Sequence, residues 1–279
     1  MQKKLLVVVA TSVLLGLSGC GLLPERADET QKWSAEKLYA EARGEMSSGQ
    51  YEAAIKLFQR LESNYPFGTY ATQAQMEIAY AHYKAQDQAE ALAAVERFIK
   101  LHPNHPQVDY MYYLRGLVNF NDQIGFLSVI YAQDPTERDP KATREAFAAF
   151  KALVDKFPNS KYAPDAIARM NYLINAMASY EVHVANYYYR RGAYLAAVNR
   201  AQNAVGEYPE SPSREEALFI MIRSYDKLGM FTLRDDTQRV FLKNYPNSRF
   251  MNPNARGDAP WWQFWSKSGP KAAPKDVVQ

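Results

Sequence analysis

One cysteine, Cys20, is all that 279 residues offer, so no disulfide can close within the chain. Charge of one sign is scarce too. Thirty-three Lys and Arg against 30 Asp and Glu leave a formal +3, which argues against nucleic acid as a partner. There is no glycine-rich phosphate cradle, no zinc-binding helix motif and no nucleophile elbow. Among the four histidines, His102 and His105 are near neighbours in "HPNHP". Without cysteine or acidic co-ligands beside them they read as turn residues with solvent-facing rings, not as a metal site. These absences leave an enzyme reading little to stand on. What remains is a chain of ordinary hydrophobic content, 47%, with twenty tyrosines, able to build a folded core.

The longest apolar run lies at the start. Lys3 and Lys4 precede Leu5–Leu15, and small residues follow up to Cys20, which is the layout of a secretory signal. The run is short for a membrane-spanning helix. Leu17-Ser18-Gly19-Cys20 resembles the bacterial lipobox, which implies a covalent lipid on Cys20 as the first residue of the mature chain. In lipoproteins of that kind Asp at the next position holds the protein at the inner membrane. Gly21 therefore implies the outer membrane. Removing residues 1–19 takes away two lysines and no acids and leaves a net charge of +1. A multi-acyl anchor needs no basic patch to hold such a chain on a bilayer.

The remainder echoes itself. "NYPFGTYA" (Asn64–Ala71) returns as "LHPNHPQV", "KFPNSKYA", "EYPESPSR" and "NYPNSRFM", placing Pro66, Pro103, Pro158, Pro209 and Pro246 at steps of 37, 55, 51 and 37 residues. Seventeen residues before Pro66, Pro209 and Pro246 stand Gly49, Gly192 and Gly229, each followed two residues later by Tyr51, Tyr194 or Phe231. The same step back from Pro103 reaches Gln86 in "AQDQ". From Pro158 it reaches Lys141, just after Asp139-Pro140. Glycine ends one helix, and proline closes the next. Five residues past the turn point come Ala54, Ala91, Ala146 and Ala197, small enough for close helix contact, with Phe58 and Phe150 one turn on. Arg234 and Gln238 replace them in the last copy, as a water-facing cap would.

Glycine, aromatic, alanine, phenylalanine and proline at these offsets resemble the tetratricopeptide repeat (TPR). The expected fold is all-α, a right-handed α-solenoid of five TPR hairpins over residues 33–250, at about 33–68, 69–105, 106–160, 161–211 and 212–250. Residues 1–19 are the signal peptide, 20–32 a lipidated linker and 251–279 a flexible tail carrying Trp261, Trp262, Phe264 and Trp265. The first long step holds a mostly loop insertion with the apolar Ile124–Ala132. The second adds 14 residues without a helix breaker between Ala166 and Arg191, which predicts one long helix begun through Pro164.

Beyond the repeats, "NYPFGTYATQAQMEIAYAHYK", "RFIKLHPNHPQVDYMYYLRGL", "FPNSKY" and "ANYYYRRGAYLAAVNR" resemble the TPR lipoproteins of the outer-membrane β-barrel assembly machinery over roughly residues 17–250. The resemblance implies a non-catalytic scaffold without cofactor on the periplasmic face of the outer membrane. Its implied partners are the POTRA domain of the barrel subunit BamA nearest the membrane, the other Bam lipoproteins, and the targeting segments of unfolded outer membrane proteins. Arg200 matches the family arginine that meets an acid on BamA; Tyr187 and Arg191 carry over less closely. Repeat proteins of this kind hold peptides on their first helices, where the register places Tyr39, Arg43, Met76, Tyr80, Tyr83, Tyr113 and Leu117. Those residues could equally fill the space between repeats. A periplasmic TPR scaffold for cell-wall synthesis and envelope constriction is the alternative role. An enzyme would need a module outside the repeats, and only the tail is unassigned.

Overall fold

The computed structural model describes residues 29–123, 141–248 and 250. Cys20 with the expected signal peptide, the Ile124–Ala132 stretch and the tryptophan-bearing tail lie outside the described residues. Among the described residues, ten α-helices follow a 3-10 turn at Glu29–Lys32. They are α1 (Ala35–Ser47), α2 (Tyr51–Asn64), α3 (Thr69–Lys84), α4 (Gln88–Leu101), α5 (Val108–Gln123), α6 (Lys141–Lys156), α7 (Ala163–Arg190), α8 (Tyr194–Glu207), α9 (Ser213–Lys227) and α10 (Phe231–Asn244). No strand occurs among the described residues, and the protein is all-α, built of helical hairpins in succession.

The punctuation works as its residues dictate. Gly49, Gly192 and Gly229 take φ of +79°, +76° and +70°, the left-handed turn that ends each first helix. Gln86 occupies the matching place with φ +65°, a conformation that a side chain resists. At the other end of the hairpins, Tyr65, His102, Tyr208 and Tyr245 cap their helices with nearly identical backbone angles, outside the α region that a following proline disfavours.

A shared turn follows in four copies. The N–H of the fourth residue donates to the carbonyl of the first: His105 to His102, Ser160 to Phe157, Ser211 to Tyr208 and Ser248 to Tyr245, all at 3.0–3.1 Å. The fourth side chain then accepts from an N–H two residues on. Ser160 Oγ takes that of Tyr162 at 3.2 Å, Ser211 Oγ that of Ser213 at 3.3 Å and Ser248 Oγ that of Phe250 at 3.1 Å. His105 Nδ1 accepts from Gln107 in the same way at 3.1 Å. The histidine rings are not solvent-facing, contrary to the sequence expectation. Both are half-buried on the Phe98 ring, at 5.0 Å for His102 and 5.4 Å for His105. His102 Nε2 also pairs with Gln75 Oε1 at 2.9 Å.

Two compact units make up the chain, residues 1–74 and 75–279. The first packs Leu38, Ala42 and Met46 of α1 against Ala54, Ile55, Phe58 and Leu61 of α2. In the second, one apolar cluster runs from Met76 to Leu173 over α3–α7, and another from Val182 to Phe241 over α7–α10. The alanines five residues past each turn point, Ala54, Ala91, Ala146 and Ala197, are wholly buried. A buried methyl there lets each hairpin close.

The unbroken stretch after Pro164 forms the 28-residue α7, with the proline in its first turn. Its first half joins the earlier cluster through Ala166 and Leu173, its second half the later one through Val182 and Ala185. The last hairpin turns polar as a terminal repeat should. Arg234 binds Asp226 at 2.9 Å and Asp235 at 2.8 Å where other copies bury alanine.

Candidate functional site

Within the second unit, first helices of successive hairpins bring tyrosines together. Tyr80 and Tyr83 on α3 lie 6.2 Å apart, centroid to centroid. Tyr110 on α5 lies 5.6 Å from Tyr162, and Tyr113 stacks on Tyr162 at 4.8 Å with the rings 12° from parallel. Burial, reinforced by Tyr80, Glu77, Tyr162 and Tyr83, holds the Tyr110 hydroxyl far above its ordinary range. Tyr110 thus sits within electrostatic reach of the α3 pair and the Tyr162 ring. Tyr113 donates to Asp165 Oδ2 at 2.7 Å, and the same oxygen accepts from Arg169 Nε at 2.6 Å. Burial and then that bond push the Tyr113 hydroxyl up as well. Arg169 is itself buried and lies over the Phe120 ring at 4.9 Å, so its charge is enclosed by a carboxylate and an aromatic face.

The residues selected by register divide along this stripe. Met76, Tyr113 and Leu117 are in the core, at 8%, 8% and 5% exposure. Tyr80 and Tyr83 are half-buried and pack against it from outside. In the first unit Tyr39 is half-buried between Phe58, at 5.7 Å, and Tyr70, at 5.5 Å, while Arg43 is exposed. Tyr110, Tyr162 and Asp165 escaped the sequence reading. Tyr110 stands one helical turn before Tyr113 in "YMYY", a spacing that could have found it. Tyr162 belongs to an inter-hairpin turn, where no helical period applies.

The first inter-hairpin turn differs from the other four. Tyr65 donates its hydroxyl to the Trp33 carbonyl at 2.9 Å, and Gly68 at φ +109° takes the place of the serine or histidine. Phe67, at the tip, is 91% exposed where the other copies carry Asn or Glu.

A second surface lies at the end of α7. Tyr187 is 48% exposed, and the exposed Arg191 guanidinium covers its ring at 5.3 Å. Arg200 on α8 donates through Nη1 to both oxygens of Glu181, at 3.2 and 3.4 Å. Nearby, Asn186 donates to Glu216 at 2.8 Å, and Arg223 lies over Tyr189 at 4.4 Å. Among the described residues no three His, Cys, Asp or Glu side chains converge as a metal cage, and no helix is long and apolar enough to cross a membrane.

Consecutive helical hairpins define the class as a helical-repeat protein, and a family described as outer membrane lipoprotein matches residues 31–240. The chain is 49% identical over 268 residues to the outer membrane protein assembly factor BamD of Neisseria meningitidis serogroup A, covering 95% of this chain and all of that one. It is 37% identical to the BamD of Vibrio cholerae over 84% of this chain and 97% of the other. With the BamD of Haemophilus influenzae it shares 31% identity over 87% and 90%. The chain belongs to the BamD family.

Proposed function

We propose that this protein is a non-catalytic scaffold and receptor of the outer-membrane β-barrel assembly complex, tethered to the periplasmic face of the outer membrane by lipid on Cys20. The observation that carries the reading is similarity along nearly the whole chain to proteins named as outer membrane protein assembly factors. Its chemistry is recognition, with no cofactor. The α7–α8 surface bearing Tyr187, Arg191 and Arg200 docks the POTRA domain of BamA, where a planar guanidinium suits a carboxylate. The other Bam lipoproteins are further partners.

Unfolded outer membrane proteins are received by the aromatic surfaces. Tyr80 and Tyr83 offer flat, amphipathic faces with Met76, Tyr113 and Leu117 as rigid backing, and Tyr39 with Arg43 offers a separate contact on the first unit. Ordered aromatics bind apolar segments at small entropic cost, because the core already fixes their rotamers. Depletion of the protein tests the role. The expected result is a fall in folded barrel proteins in the outer membrane, and unchanged levels would refute it.

A further inference from the structure

Arg200 meets Glu181 in an unusual way. A guanidinium carries five N–H donors, and its strong pairs with carboxylates use two nitrogens on two oxygens. Here Nη1 alone spans both oxygens of Glu181, at 3.2 and 3.4 Å. Nε and Nη2 have no hydrogen-bond partner among the described residues, on a side chain that is 40% exposed. Glu181 is only 10% exposed, and Arg200 is paired with it. A carboxylate so enclosed cannot lose its counter-ion without a large desolvation penalty. Arg200 is therefore not at liberty to leave Glu181 when a second acid arrives.

We propose that Arg200 is a shared donor: Nη1 stays on Glu181 while the outer edge of the guanidinium binds a carboxylate of the docking partner. The proposal rests on the reading of Arg200 as a docking residue. It adds Glu181 as a positioning residue with two effects. Glu181 sits on the long helix α7 and aims a side chain that would otherwise lose much rotamer freedom on binding. It also cancels part of the guanidinium charge and repels the incoming acid, so the pair binds a carboxylate more weakly than a lone arginine held in the same place. The partner chemistry that fits is a folded surface presenting an Asp or Glu side chain to the open edge of the guanidinium.

The test uses the full mature chain in detergent, the purified periplasmic region of BamA as probe, and melting temperature beside dissociation constant. Glu181→Gln keeps an acceptor for Nη1 but removes the charge. It is expected to melt like the parent and bind several-fold tighter, the gain disappearing in high salt. Arg200→Lys keeps the ion pair but cannot serve two planar groups. It is expected to fold normally and bind about tenfold more weakly. The paired Glu181→Gln/Arg200→Gln protein retains an amide–amide bond and should bind no better than Arg200→Lys. If Glu181→Gln binds like the parent or more weakly while Arg200→Lys loses affinity, the shared donor is overturned and the docking reading stands. If all three bind like the parent, Arg200 is outside the interface and both fall.

Discussion

Gly116 of α5 lies flush against the Phe150 ring of α6, and a Cβ placed on that glycine would come within 2.3 Å of a ring carbon. Phe150 is wholly buried and cannot swing away. Gly116→Ala is therefore expected to cost about 1–3 kcal/mol through overpacking, read as a lower denaturant midpoint. Adding Phe150→Leu should recover part of the loss. An alanine variant as stable as the parent would show that the two helices can separate freely.

Gln86 stands where Gly49, Gly192 and Gly229 provide the same left-handed turn without strain. Gln86→Gly should raise stability by about 0.5–1 kcal/mol by relieving that conformation, less whatever the freer unfolded chain takes back. Gly192→Ala should move the other way by at least as much. Thermal denaturation of the two proteins side by side decides it, and shifts of the same sign would contradict the account.

His105 links stability to pH. Its Nδ1 accepts a backbone N–H, which only an unprotonated nitrogen can do, and burial followed by the charge of His102 holds its pKa below the ordinary 6.5. The native state thus favours the neutral ring. The stabilisation is complete above about pH 6.5, the unfolded value, and is lost as pH falls through the lower native one. His105→Ser restores the hydroxyl found in three sister turns and should flatten the fall in melting temperature between about pH 7 and about pH 5. Parallel slopes for the two proteins would exclude His105 as the source.

Tyr80 and Tyr83 are packed on the core yet still reach solvent. Replacing both by alanine should weaken binding of a peptide from the C-terminal strand of a barrel protein by about tenfold or more, as loss of two aromatic contacts would. Circular dichroism must show the helices intact. Unchanged affinity in a folded variant would remove these residues from the site.

Local chemistry made the fold legible. Glycine, proline and small residues act within a few positions of themselves, so their spacing gave away hairpins, and the missing breaker after Pro164 gave away α7. The candidate site was harder to read because its residues were settled at a distance. Tyr113 lies in the core because Tyr162 and Asp165, about fifty residues on, cover it. Nothing near Tyr113 in the chain distinguishes it from Tyr80, which keeps a wet edge. Glu181 escaped for the same reason: it looks like any helix-surface acid until the return of the chain brings Arg200 to it.

The long helix α7 also changes how the second unit should come apart. Repeat proteins ordinarily fray one module at a time, because each module touches only its neighbours. Here one uninterrupted element is the wall of both apolar clusters, through Leu173 and Val182 nine residues apart. Melting either cluster strips one flank of the same beam and exposes the other to water. The hairpins on the two sides are thereby bound into one cooperative block, and a break in α7 would restore the piecemeal unfolding that the repeat pattern leads one to expect.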